Sequence, residues 1–248
     1  MTRTEVLTHI VVENGDGSKQ RAPLYSPEGL VLLSELWTKV GFQYRQMFEP
    51  TWLGVPIIQF PGDMVMLAEL VWKLKPDLII ETGVAHGGAT ILFASLLELI
   101  GKGHVIGIDI EIRQHNRLAI QAHPLSQRIQ LIEKDALDSD LVPILEPLSQ
   151  EGRTMVFLDS NHAYDHVLAE MNRFGAYVSE GSYMVVMDGI QKMLGNTPRG
   201  DPAWFRDNPL RAVHTFLEAQ PRNWEVDPYC ERLKITCAPH GFLKKRAT

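Results

Sequence analysis

The sequence predicts an α/β protein: a doubly wound, mostly parallel seven-stranded sheet with helices on both faces, an antiparallel C-terminal hairpin and an N-terminal helical extension. Three observations carry that prediction. From residue 63 onward, short apolar runs alternate with helix-length stretches, the rhythm of parallel strands buried on both faces. Right-handed crossovers then return each strand to one sheet. After the last long helix the rhythm changes, and two short runs separated by a brief connector suit antiparallel strands at the sheet edge.

Residues 1–60 read as the extension. Asn14, Gly15, Asp16 and Gly17 are turn chemistry, with a short strand beginning at Val11 and Val12. Residues 27–40 place Leu30, Leu33, Leu36 and Trp37 at helical spacing. Trp37, Phe42, Tyr44, Phe48 and Trp52 then crowd one segment. Apolar surface of that density marks an interface, so residues 1–60 are expected to cap the substrate or to join a second copy in a homo-oligomer.

Residues 61–248 form the main domain. Residues 63–75 read as a helix, with Asp63 as its N-cap and Pro76 beyond its end. Strands follow at 78–80, 104–110, 129–132, 155–158 and 183–187. Helices between them cover 88–100, 112–122, 138–149 and 163–178. Residues 190–206, rich in Gly and Pro, suit a lid over an acceptor, with Trp204 and Phe205 as an apolar wall. A helix over 207–219 precedes the hairpin, read as 224–226 with 233–236.

Composition narrows the function classes. The 248 residues are 45% hydrophobic and 22% charged, as in an ordinary globular domain. Lys and Arg number 24 against 30 Asp and Glu, a net charge of −6. Such a chain lacks the basic footprint of a nucleic-acid binder, and no apolar run approaches the roughly 18 residues of a membrane span. Two cysteines, Cys230 and Cys237, are too few for a disulfide framework and read as reduced thiols. The first twenty residues show no secretory pattern, so a cytoplasmic location is expected.

Ligands of such folds bind beyond the carboxyl ends of the strands, where strand order reverses. The first βα turn here runs Glu81-Thr82-Gly83-Val84-Ala85-His86-Gly87-Gly88. It is not G-x-G-x-x-G, which argues against a nicotinamide-dependent oxidoreductase. A carboxylate at its start would repel a pyrophosphate and suits a cation such as S-adenosylmethionine, with its sulfonium and ammonium groups. Asp109 ends the next strand, where a carboxylate meets ribose hydroxyls, and Asp135 follows the third, placed to accept from an adenine amino group. Three acids at three successive strand ends favour a nucleoside ligand over simple helix caps.

The segments 52–59, 81–90, 105–113, 157–167 and 238–244 resemble the cephalosporin hydroxylase/rhamnosyl O-methyltransferase family of class I, Rossmann-like S-adenosylmethionine-dependent enzymes. ETGVAHGGAT and FLDSNHAYDHV are the most specific of the matching stretches. The resemblance implies O-methylation of a small-molecule hydroxyl in natural-product or sugar tailoring, with S-adenosylmethionine and a divalent metal. It implies cofactor contacts from Gln59, Glu81, Gly83, His86, Gly87, Gly88, Asp109, Asp135 and Ala136. No motif supplies an oxygen-activating iron site.

Asp159 ends the fourth strand and His162 stands three residues later. In enzymes resembling catechol O-methyltransferase the corresponding aspartate binds magnesium, and a base three residues on takes the hydroxyl proton. An imidazole suits that task near neutral pH. Asp188 would be the second ligand of Mg²⁺, because Met187 stands where the family usually has another acid or amide, and a thioether does not suit a hard cation. His166, four residues after His162, reads as an exposed helical residue rather than one facing the same cleft, and Tyr164 as either a packing or a substrate residue. A non-catalytic S-adenosylmethionine-binding partner of a biosynthetic enzyme is the alternative, favoured by Met187.

Overall fold

A computed structural model describes residues 8–15 and 17–247. Residues 1–7 of the segment read for a leader, Asp16 of the expected turn and Thr248 lie outside the described residues. The chain opens with a hairpin of β1 (His9–Glu13) and β2 (Lys19–Pro23), with Val11 opposite Arg21. Helix α1 (Pro27–Gln43) follows, capped by the Ser26 hydroxyl, which accepts the Gly29 N–H at 3.0 Å. Its inward face is made of Gly29, Leu32, Ser34, Thr38 and Gly41. Small residues let the backbone come close: a Cβ on Gly29 would lie 2.2 Å from the Pro23 carbonyl oxygen. The stripe of Leu30, Leu33 and Trp37 consequently faces outward, at 51%, 49% and 40% exposure.

After a short ribbon of β3 (Thr51–Trp52) and β4 (Val55–Pro56), helix α2 runs Pro61–Leu74. Asp63 is not its N-cap. Phe60 occupies that position, and Asp63 is buried inside the first turn, where it accepts the Cys237 N–H at 2.7 Å. The helix thereby ties down the C-terminal segment.

The alternating region then unfolds in order. It comprises β5 (Leu78–Thr82), α3 (Gly88–Ile100), β6 (His104–Asp109), α4 (Gln114–Ala122), β7 (Ile129–Glu133), α5 (Val142–Gln150), β8 (Thr154–Leu158), α6 (Tyr164–Phe174), β9 (Tyr183–Val186), α7 (Gln191–Leu194), α8 (Pro209–Ala219), β10 (Trp224–Val226) and β11 (Phe242–Lys245). Seven strands form one sheet in the order β10-β11-β9-β8-β5-β6-β7, the first two pairings antiparallel and the rest parallel. β5, β8 and β9 are buried at every position, as helices on both faces require. One core layer joins Ile79, Phe93, Val105 and Phe157 to α2 and α3. The other joins Ile80, Ile106, Val156 and Val186 to α5, α6 and α8.

The hairpin departs from expectation. Residues 233–236 alternate like a strand but form a connector in which Lys234 is left-handed at φ 64°. The strand that pairs with β10 is β11, with Val226 opposite Leu243. Residues 190–206 are not an open lid. They fold into α7 and a 3₁₀ turn (Pro202–Phe205), which α1 covers. The Arg199 guanidinium donates to the Phe42 carbonyl at 2.7 Å, and Trp204 meets the Phe42 ring edge-on at 6.0 Å. Both cysteines are free and buried, and among the described residues no helix is long and apolar enough to cross a membrane.

Candidate active site

Strand order reverses at β5, which lies between β6 and β8, and the site is built at the carboxyl ends of these strands. Gly83 makes it possible. Its φ is +86°, and a Cβ there would lie 2.1 Å from the Asp159 carbonyl oxygen, so only glycine lets the β5 and β8 turns touch. Asp109 braces the same turn: one carboxylate oxygen accepts Val84 N–H at 2.8 Å and Ala85 N–H at 3.1 Å, and the other accepts Glu111 N–H at 3.1 Å. Gly87 and Gly88 serve close packing, against Ile120 and against the Pro56–Ile57 backbone.

Among the cavities that border the turn, two meet at Gly83 and Asp159. A cavity of about 390 Å³ is bordered by Gly83, Asp109, Asp135, Ala136, Asp159, Ser160, Asn161 and His166. One of about 190 Å³ on the other side meets Gln59, His86, Gly88, Asp159, His162 and Asp188. Gly83, Ala85, Asp159 and Ser160 border both. Glu81 and Gly87 border neither. Glu81 is fully buried and accepts the Thr90 hydroxyl at 2.5 Å, and its other oxygen has no partner. Burial lifts its pKa to about 8, so the protonated form predominates at neutral pH.

The ligand atoms of Asp159, His162 and Asp188 lie within 4.8 Å of one another. His162 Nε2 stands 3.3 Å from an Asp188 oxygen, and the Gln59 amide donates to Asp159 at 3.0 Å. His162 does not cap the following helix: Asn161 accepts the Ala163 N–H and Asp207 accepts the Tyr164 N–H. Burial, then the neighbouring Asp188, Glu81 and Glu170, push the Asp159 pKa well above its ordinary value. Among the described residues no lysine or arginine pairs with Asp159 or Asp188. Carboxylate oxygens converging without a cation suit a hard divalent ion, whose bound waters can complete the shell. Met187 is 2% exposed and packs into the core, so it offers this cluster nothing.

His166 is not an exposed helical residue. Its side chain is 22% exposed and borders the larger cavity. Tyr164 packs, with its hydroxyl donating to Thr215 at 3.3 Å and the Arg211 guanidinium 4.3 Å from its ring centre. Sequence reasoning missed Glu170, 1% exposed beneath His166, although its i,i+4 spacing from the histidine is a visible signal. It also missed Asn116, whose amide donates to the Ala85 carbonyl at 2.8 Å and holds the turn from outside.

Residues 43–246 match the model of one protein family, described as Rhamnosyl O-methyltransferase/CmcI. A rhamnosyl O-methyltransferase of Mycobacterium tuberculosis is 28% identical over 214 residues, which cover 84% of this chain and 79% of that one. The fold resembles the apo structure of CmcI, at 22% identity and a TM-score of 0.58, over 81% of this chain and 78% of that one. A CmcI structure with magnesium and S-adenosylmethionine is similar at a TM-score of 0.57 and the same identity and coverage.

Proposed function

The chain belongs to the rhamnosyl O-methyltransferase/CmcI family and is an S-adenosylmethionine-dependent O-methyltransferase, and on that premise we propose that it methylates a hydroxyl of a sugar or other small natural product, with His162 as general base. The observation that carries this reading is the convergence of Asp159, His162 and Asp188 at the junction of two cavities. The larger cavity takes the adenosyl end of S-adenosylmethionine between Asp109, Asp135 and Ala136, and the smaller one the acceptor hydroxyl.

The methyl group arrives already activated, so the protein contributes alignment, exclusion of water and a destination for the proton. His162 accepts that proton at Nε2, and Asp188, 3.3 Å away, stabilises the imidazolium that results. Asp159 and Asp188 would hold Mg²⁺, which supplies a positive charge that lowers the pKa of a nearby hydroxyl. Gln59 fixes Asp159 by donating to one of its oxygens. A non-catalytic role has no support from the mycobacterial relatives, which are named rhamnosyl O-methyltransferases.

The test is formation of S-adenosylhomocysteine from S-adenosylmethionine with a panel of hydroxylated sugars and phenols. His162→Ala should lower kcat by about 10²-fold with cofactor affinity unchanged. A variant as fast as wild type refutes the base, and activity indifferent to EDTA refutes the metal. Residues 1–60 serve, in this reading, to join a second copy through the outward stripe of α1, where Tyr44 at 74% and Phe48 at 45% exposure continue Leu30, Leu33 and Trp37.

A further inference from the structure

Glu170 is a carboxylate at 1% exposure, and one of its oxygens has no hydrogen-bond partner. Its other oxygen accepts the Ser160 hydroxyl at 2.8 Å and lies 3.7 Å from His166 Nε2, which is itself 3.5 Å from the Ser160 hydroxyl. Among the described residues no lysine or arginine pairs with Glu170. A buried carboxylate stays ionised only with a partner of opposite charge, and His166 is the group placed to supply it. As an imidazolium whose Nε2–H faces Glu170, the ring also has Nδ1–H to offer.

His166 borders the larger cavity together with Asp135. One oxygen of Asp135 accepts the Leu137 N–H at 2.8 Å, which leaves the other for a ligand donor. Asp135 and His166 therefore offer an acceptor and a donor from this cavity's wall. The adenine edge has the complementary pattern, an amino donor beside an acceptor ring nitrogen, whereas a 6-oxopurine replaces that donor with an acceptor.

We propose that His166 reads the purine of the cofactor, donating a hydrogen bond to a ring nitrogen beside the adenine amino group that Asp135 accepts, with Glu170 as the residue that positions it. This rests on the reading of the larger cavity as the adenosyl site. It makes α6 a specificity element as well as the continuation of the catalytic turn.

Calorimetry with S-adenosylhomocysteine and its 7-deaza and 1-deaza analogues tests it. The wild type should bind S-adenosylhomocysteine one to one and one of the two analogues about tenfold more weakly, the loss expected for a charge-assisted hydrogen bond. His166→Leu should bind S-adenosylhomocysteine about tenfold more weakly and the deaza analogues no more weakly than that. Glu170→Gln should shrink the discrimination between parent and analogue, an effect that general loosening of the helix would not produce. Equal binding of all three ligands by the wild type overturns the proposal without need of any variant, as does discrimination that persists in His166→Leu. Failure of the wild type to bind S-adenosylhomocysteine at all overturns the cofactor reading, and this one with it.

Discussion

Replacing Glu81 with glutamine changes one proton-binding group at the centre of the sheet and almost nothing else. The side chain is fully buried, its one partner is the Thr90 hydroxyl, and an amide oxygen can accept that hydroxyl as well. Burial raises the Glu81 pKa from 4.5 to about 8, with the Thr90 hydrogen bond opposing the rise and the Asp109 charge adding to it. A folded pKa above the unfolded one means that the native state binds the proton more tightly. The stability this gives is complete below the unfolded value and is lost as pH rises toward 8. Glutamine does not titrate. The variant should therefore gain on the wild type by about 1.4 kcal/mol per pH unit between about pH 5 and about 7.5, roughly 3 kcal/mol in all. Urea unfolding followed by tryptophan fluorescence across that range, with linear extrapolation, measures the difference. Because the protonated form predominates at pH 7, affinity for S-adenosylmethionine should hardly change. A stability difference that stays flat with pH would refute the assignment of a buried, protonated Glu81.

Gly83→Ala should cost at least about 2 kcal/mol of stability, since a Cβ would meet the Asp159 carbonyl at 2.1 Å on a left-handed backbone, and thermal melts would show it. Asp63→Ala should loosen the C-terminal segment, because Cys237 N–H loses its buried acceptor; faster proteolysis after residue 230 is the expected readout, and unchanged cleavage would count against it. Light scattering at micromolar concentration should find an oligomer, and Leu33→Glu on the outer face of α1 should shift it toward monomer. A wild type that is monomeric throughout removes the interface.

Much of the fold is legible because it is written locally. The runs read at 78–80, 104–110 and 155–158 are short and largely apolar, and the helices between them carry their own period. What sequence does not display is long-range choice. Leu233 to Thr236 has the alternation of a strand, yet the sheet edge is taken by Phe242–Lys245, whose register against Val185 and Trp224 closes the sheet. The inner face of α1 escaped notice for a related reason: it is chosen by how closely Gly29 and Gly41 let the helix approach, rather than by where its leucines lie. At the site, the acids at strand ends were visible, but their partners were not. Glu81 turns inward to Thr90, nine residues on, and His162 finds Asp188 across two strand ends. Such pairings arise only when the sheet assembles.

The central claim is that the strand-end acids hold S-adenosylmethionine while the Asp159–His162–Asp188 cluster handles the acceptor. Calorimetric titration of S-adenosylmethionine into wild type, Asp109→Ala, Asp135→Ala and His162→Ala tests that division directly. The wild type should bind one equivalent, the two aspartate variants should lose about 1–3 kcal/mol of affinity, and His162→Ala should bind as the wild type does. Undiminished binding in both aspartate variants, or loss of binding in His162→Ala alone, would contradict it.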